Sequence, residues 1–139
     1  MNYALKDSIA YRLIRSSNSV VNSLNKRLSS YDIAIEQRAT LEIIKYEPDV
    51  NQTKIANLLG KDKTTISRSL NSLEKKELIT RESDTKNDKR SNKIKLTLKG
   101  QKILEDTLLD VTDFREGLSS KISDEEQELF FKILDKLEL

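Results

Sequence analysis

The sequence predicts a mostly α (α+β) fold, a winged helix-turn-helix set between long N- and C-terminal helices. Three observations lead there. Apolar residues recur at helical spacing along most of the 139 residues. Only 3 Gly and 1 Pro interrupt them, too few for a sandwich or barrel. The two short stretches suited to strands follow a pair of helices joined by a glycine turn.

The elements follow in order. Leu5, Ile9, Leu13, Val20, Leu24 and Leu28 recur at spacings of four and seven, which predicts one amphipathic helix of about seven turns. Asp32 to Glu47 predicts a second helix, with Ile35, Ala39, Leu41, Ile43 and Ile44 apolar and Pro48 as its stop. Asn51 to Leu59 predicts a short third helix that ends at Gly60. Asp62 is a suitable N-cap for a fourth, from Lys63 to about Lys76, with Ile66, Leu70 and Leu73 inward. Leu78–Glu82 and Lys93–Thr97 read as strands, and the turn-forming residues between them make a hairpin with an extended tip. From Leu98 the helical period returns to about Leu118. Ser123 and Glu126 then form a capping box that opens a last helix with Leu129, Phe130, Ile133, Leu134 and Leu137 apolar.

Composition excludes several functions. The chain has 0 Cys and 0 His, so there is no disulfide framework, no Cys/His zinc site, no redox thiol and no imidazole base. The remaining carboxylates cluster on helical surface, so no enzyme, no metal and no cofactor is expected. The first fifteen residues lack a continuous apolar core and do not read as a signal peptide; no apolar run reaches the roughly 18 residues of a membrane helix. A soluble, cytoplasmic protein with no membrane partner is expected.

Charge points to a polyanionic partner. The net charge is only +2, yet residues 54–102 carry 14 basic and 6 acidic side chains, and residues 103–139 carry 4 and 11. A basic middle in a near-neutral chain attracts phosphate locally, as a nucleic-acid surface does.

The run Gln52–Lys76, the wing sequence Asp88-Lys89-Arg90 and the following Leu96-Thr97-Leu98-Lys99-Gly100 resemble the MarR family of winged helix-turn-helix transcription regulators. The likeness extends over nearly the whole length. One departure is Glu77, where the family commonly has Gly or Asn; a left-handed Glu there would cost up to about 1–2 kcal/mol relative to Gly.

The resemblance implies a homodimeric, sequence-specific regulator of transcription whose partner is double-stranded DNA. It implies a repressor on an A/T-leaning pseudo-palindromic operator, released by a small-molecule effector. The alternatives are an effector-independent architectural or anti-silencing DNA-binding protein, or an adaptor on a winged-helix frame. Lys63, Thr64, Thr65, Ser67 and Arg68 would read the major groove, where Arg68 can bond guanine bidentately. Lys86, Asp88, Lys89 and Arg90 form the wing, with Arg90 suited to a narrow minor groove and Asp88 orienting it. Lys54, Lys61 and Lys93 are candidate phosphate contacts. Residues 1–31 and 101–139 would form a helical dimerisation module around a DNA-binding module, 32–100. Its expected interface residues are Leu5, Ile9, Leu13, Leu129, Phe130, Ile133, Leu134 and Leu137. Tyr11, Arg12, Arg15 and Tyr31 are candidates for an effector pocket.

Overall fold

The computed structural model of the chain describes residues 4–83 and 92–138. A 3₁₀ turn, Ala4–Asp7, precedes α1 (Ile9–Leu28); a second, Ser29–Tyr31, precedes α2 (Ile35–Tyr46). Then come α3 (Gln52–Leu59), α4 (Lys63–Lys75), β1 (Ile79–Ser83), β2 (Asn92–Leu96), α5 (Leu98–Ser119) and α6 (Asp124–Leu137). This is a winged helix-turn-helix, mostly helical, with one small antiparallel sheet. Among the described residues no helix is long and apolar enough to cross a membrane.

The chain divides into two compact units, one ending at Thr107 and the other beginning at Leu108. The core of the first comes from α2, α3, α4 and the sheet. Leu41, Ile55, Ile66, Leu70 and Leu73 are fully buried there, each contributing about 1.5–3 kcal/mol relative to exposure. Two buried residues of α2 are polar. Thr40 donates to the Glu36 carbonyl at 2.9 Å. Arg38, 2% exposed, donates from Nε to Thr107 Oγ1 (2.7 Å), from Nη1 to Glu42 (3.1 Å) and from Nη2 to the Leu104 carbonyl (3.3 Å), so it ties α2 to α5.

Two helix starts differ from the sequence-based expectation. The first helix does not run unbroken from Leu5: Ser8 is extended, and its hydroxyl accepts from Tyr11 N at 3.2 Å, starting α1 at Ile9. The second helix begins three residues after Asp32, which is left-handed at φ 53°. Its first donors are capped once from another helix and once from its own first turn. Ile35 N donates to Asn25 Oδ1 on α1 at 2.7 Å, and Ala34 N to Gln37 Oε1 at 3.3 Å.

The sheet pairs Ile79 with Leu96 and Arg81 with Ile94, which buries Ile79 and Ile94 on one face. Thr97 joins it to α5. Its N–H donates to the Leu78 carbonyl (3.1 Å), its hydroxyl donates to the Glu77 carbonyl (2.6 Å), and Gly100 N donates to that hydroxyl (3.0 Å). Gly100 is required by space, since a Cβ there would lie 2.1 Å from the Leu78 oxygen.

In the second unit, Ser123 opens α6. Its hydroxyl accepts from Glu126 N (3.1 Å) while Glu126 accepts from Ser123 N (3.0 Å). Asp124, Glu125 and Glu126 suit the positive end of the helix dipole. Every residue of α6 is exposed or half-buried.

Candidate nucleic-acid interface

The interface is built on the turn between α3 and α4. Asn51 caps α3 by accepting from Lys54 N at 2.9 Å. Gly60, left-handed at φ 64°, ends it, and Lys61 N returns to the Ala56 carbonyl at 3.0 Å. Asp62 then caps α4, accepting from Thr65 N at 2.7 Å. Gln52 fixes the two helix starts together, its Nε2 donating to the Lys63 carbonyl at 2.9 Å.

Helical spacing places Ile66, Ser69, Leu70 and Leu73 inward, all buried. The opposite face therefore carries Lys63, Thr64 and Arg68, which are exposed, with Thr65 and Ser67 half-buried beside them. Arg68 makes no ion pair among the described residues. Its charge acts on Asp62, whose carboxyl is held below its ordinary value first by the Thr65 hydrogen bonds, then by Thr64 N–H, then by Arg68. The surface thus offers donors and hydroxyls at the start of an outward helix, which is the chemistry that base edges and phosphates accept.

One positioning residue escaped the sequence reading. Arg81 of β1 donates from Nε to Glu74 (3.0 Å) and from Nη2 to Asn71 Oδ1 (2.6 Å) and Glu74 (3.4 Å), bracing the strand that leads into the wing against α4. The same hydrogen bonding holds the Glu74 carboxyl below its ordinary value. An arginine in a short strand carries no sequence signal for such a brace.

Lys86, Asp88, Lys89 and Arg90 lie outside the described residues. Of the candidate phosphate contacts, Lys54 is paired with Glu47 (2.9 Å) and Lys61 with Glu36 (3.6 Å). Lys93 is exposed and sits opposite Glu82 in the sheet register. Exposed pairs of this kind contribute about 0–1 kcal/mol, so a phosphate can replace the carboxylate at little cost.

Comparison with known proteins decides the family. Residues 33–91 match the family model described as MarR family. A Staphylococcus aureus MepR–DNA complex is 30% identical, covers 94% of this chain and 96% of its own, and superposes with a TM-score of 0.85. A second MepR structure, described as a transcription regulator of the Staphylococcus aureus multidrug efflux pump MepA, is 29% identical over 94% and 96%, with a TM-score of 0.62. A MarR/EmrR family transcriptional regulator from Acinetobacter sp. ADP1 is 22% identical over 97% and 95%, at a TM-score of 0.87. The chain belongs to the MarR family. It is a transcription regulator of that family, with the family's winged-helix fold.

In this MarR-family chain the residues expected at a dimer interface carry much uncovered apolar surface. Leu5, Ile9, Leu13, Leu129, Phe130, Ile133 and Leu137 are exposed, Ile9 by 61% and Leu129 by 58%, and Leu134 is half-buried. Of the four effector-pocket candidates, Tyr11 and Arg15 share an open groove along α1 with Ile14, Asn18, Ser19 and Asn22. Arg12 and Tyr31 do not line that groove. A second groove, of about 420 Å³, lies between α1, α2 and α4. Asn25, Gln37, Thr65, Arg68, Ser69 and Ser72 are among its lining residues. The buried Ser69 hydroxyl has no hydrogen-bond partner among the described residues.

Proposed function

We propose that this regulator works as a homodimer that binds double-stranded DNA at an A/T-leaning pseudo-palindrome and represses transcription from it. The observation that carries the reading is the outward face of α4. Arg68 stands unpaired among the described residues beside Lys63 and Thr64, at the start of the second helix of a helix-turn-helix, within a segment of strong positive charge. MepR, 30% identical, is described in complex with DNA, which supports the same partner. Arg90 and its neighbours would add minor-groove contacts on A·T-rich flanks. The exposed apolar residues of α1 and α6 supply the dimer contact, and two recognition helices related by its axis would meet two half-sites.

Release by a small-molecule effector belongs to the proposal. The groove between α1, α2 and α4 supports it, because its lining includes both an unsatisfied buried hydroxyl and Arg68. A ligand seated there would compete with DNA for Arg68.

Selection of bound duplexes from random DNA, followed by footprinting, tests the reading. The expected result is two protected half-sites about one helical turn apart, with Arg68→Ala relaxing base preference within each. The protein should sediment as a dimer at micromolar concentration. No duplex binding at low salt, or a stable monomer that keeps its structure on dilution, would overturn it.

A further inference from the structure

The polar contacts at the C-terminal end of α4 close into a ring that reaches two other helices. Lys76 Nζ donates to the Asp32 carbonyl at 2.7 Å and approaches Gln37 Oε1 at 3.4 Å. Gln37 Nε2 donates to Ser72 Oγ on α4 at 3.1 Å. Gln37 Oε1 also accepts from Ala34 N, and the next residue, Ile35, donates its N–H to Asn25 on α1. The path therefore runs from α4 through the start of α2 to α1. The carboxylate of Asp32 adds little, being 3.9 Å from Nζ and 95% exposed; the carbonyl is the working partner.

We propose that Lys76, Gln37 and Asn25 form a positioning clamp that fixes the angle of the recognition helix relative to α1, and so sets the half-site spacing that the dimer accepts. The inference rests on the DNA-binding, dimeric reading above. The inward face of α4 is held by apolar burial, which is non-directional, while Gln52 ties its first residue to α3 and Arg81 ties Asn71 and Glu74 to β1. Hydrogen bonds are directional, and this ring supplies those that reach α2 and, through it, α1. The reading end, Lys63 to Arg68, lies about 12–20 Å away at 1.5 Å per residue, so a tilt of about 5° at the clamp displaces it by about 1–2 Å. With α1 in the dimer contact, that displacement repeats in the second subunit and changes the separation of the two recognition helices.

The test uses the full chain and the operator obtained by selection, together with operators carrying one base pair more or fewer between half-sites. Each such change moves a half-site by about 3.4 Å and turns it by about 35°. Wild type should bind the altered operators about tenfold or more weakly, as for a mismatched site. Lys76→Met should narrow that gap to about threefold or less without altering base preference within a half-site. Lys76→Arg should restore it. Lys75→Met removes the same charge one residue earlier, where no hydrogen bond or ion pair is made among the described residues, and should keep the wild-type gap. Asn25→Ala breaks the arm to α1 without touching α4, and it should narrow the gap if Lys76→Met fails to fold. Folded Lys76→Met or Asn25→Ala with the wild-type spacing gap would overturn the clamp. So would a wild type indifferent to spacing. Wild type that binds no duplex at all would overturn the DNA-binding reading, and the clamp with it.

Discussion

Two left-handed residues close the two helices of the helix-turn-helix, and only one of them is glycine. Gly60 ends α3, and Glu77 follows α4 at φ 61°, with Leu78 N returning to the Leu73 carbonyl at 2.9 Å. The left-handed conformation costs a residue with Cβ about 1–2 kcal/mol, while glycine's extra freedom in the unfolded chain offsets about 0.4–1 kcal/mol of any gain. Glu77→Gly should therefore stabilise the chain by about 0.5–1 kcal/mol in urea unfolding; a loss of stability would show that the Glu77 side chain has a role beyond the turn. Asp62 gives the residue-scale dependence on pH. Its folded carboxyl is held below the ordinary value by Thr65, so its contribution is complete above the ordinary carboxylate range and is lost as pH falls through the lowered folded value. Asp62→Ala should be less stable than the parent at neutral pH. That difference should shrink under strongly acid conditions, as followed by denaturant titration across pH. A difference that persists unchanged into acid would assign the effect to something other than the charged cap.

At the scale of elements, what the sequence revealed depended on how near the determining partner lay. The bounds of α3, α4 and α6 were legible because Asn51, Asp62 and Ser123 cap the third residue on, a contact inside one turn. The start of α2 was not, because one of its caps comes from Asn25, ten residues earlier and on another helix. Arg38 was hidden for the same reason. A charged residue on an amphipathic helix reads as solvated, and the Thr107 and Leu104 oxygens that satisfy it are 69 and 66 residues away. On α4 the pattern of 66, 70 and 73 separated inward from outward residues correctly. The pairing of Lys54 and Lys61 with carboxylates could not be read from spacing, since Glu36 is distant in sequence and Glu47 belongs to the preceding element. Gly100 shows how a motif residue acquires its reason only in three dimensions. It lets the start of α5 lie against the Leu78 carbonyl, with Thr97 bonded to both neighbours of that contact. Gly100→Ala should cost about 1–3 kcal/mol by overpacking, with the larger value favoured because the obstacle is backbone. Thermal melting should show a clear drop, and an unchanged midpoint would mean that α5 can shift without loss.

For the whole molecule, charge and apolar surface separate along the chain, and both bear on assembly with DNA. Residues 54–102 carry an excess of eight positive charges, and residues 103–139 an excess of seven negative. The acidic segment coincides with most of α5 and all of α6, where Leu109 is 71% exposed and Leu129 58%. An acidic helix with an uncovered apolar stripe is suited to another protein surface and repelled by phosphate. On the proposed reading, DNA contact falls on the basic segment and the dimer contact lies clear of it. Not every basic side chain can reach a phosphate, and Lys54 and Lys61 enter from existing ion pairs. Those pairs weaken with salt as well, so each contributes less to the salt dependence than a free lysine does. If about three side chains per subunit act in full, a dimer neutralises about six phosphates, and the slope of log affinity against log salt should be about −5. Lys93→Ala, which removes an exposed cation of β2 from the candidate phosphate contacts, should reduce the magnitude of that slope by up to about two, one contact per subunit, while leaving the preferred site unchanged. Titrations of one operator at several salt concentrations measure both quantities. An affinity nearly independent of salt would place the basic segment outside the interface and move the DNA contact elsewhere on the chain.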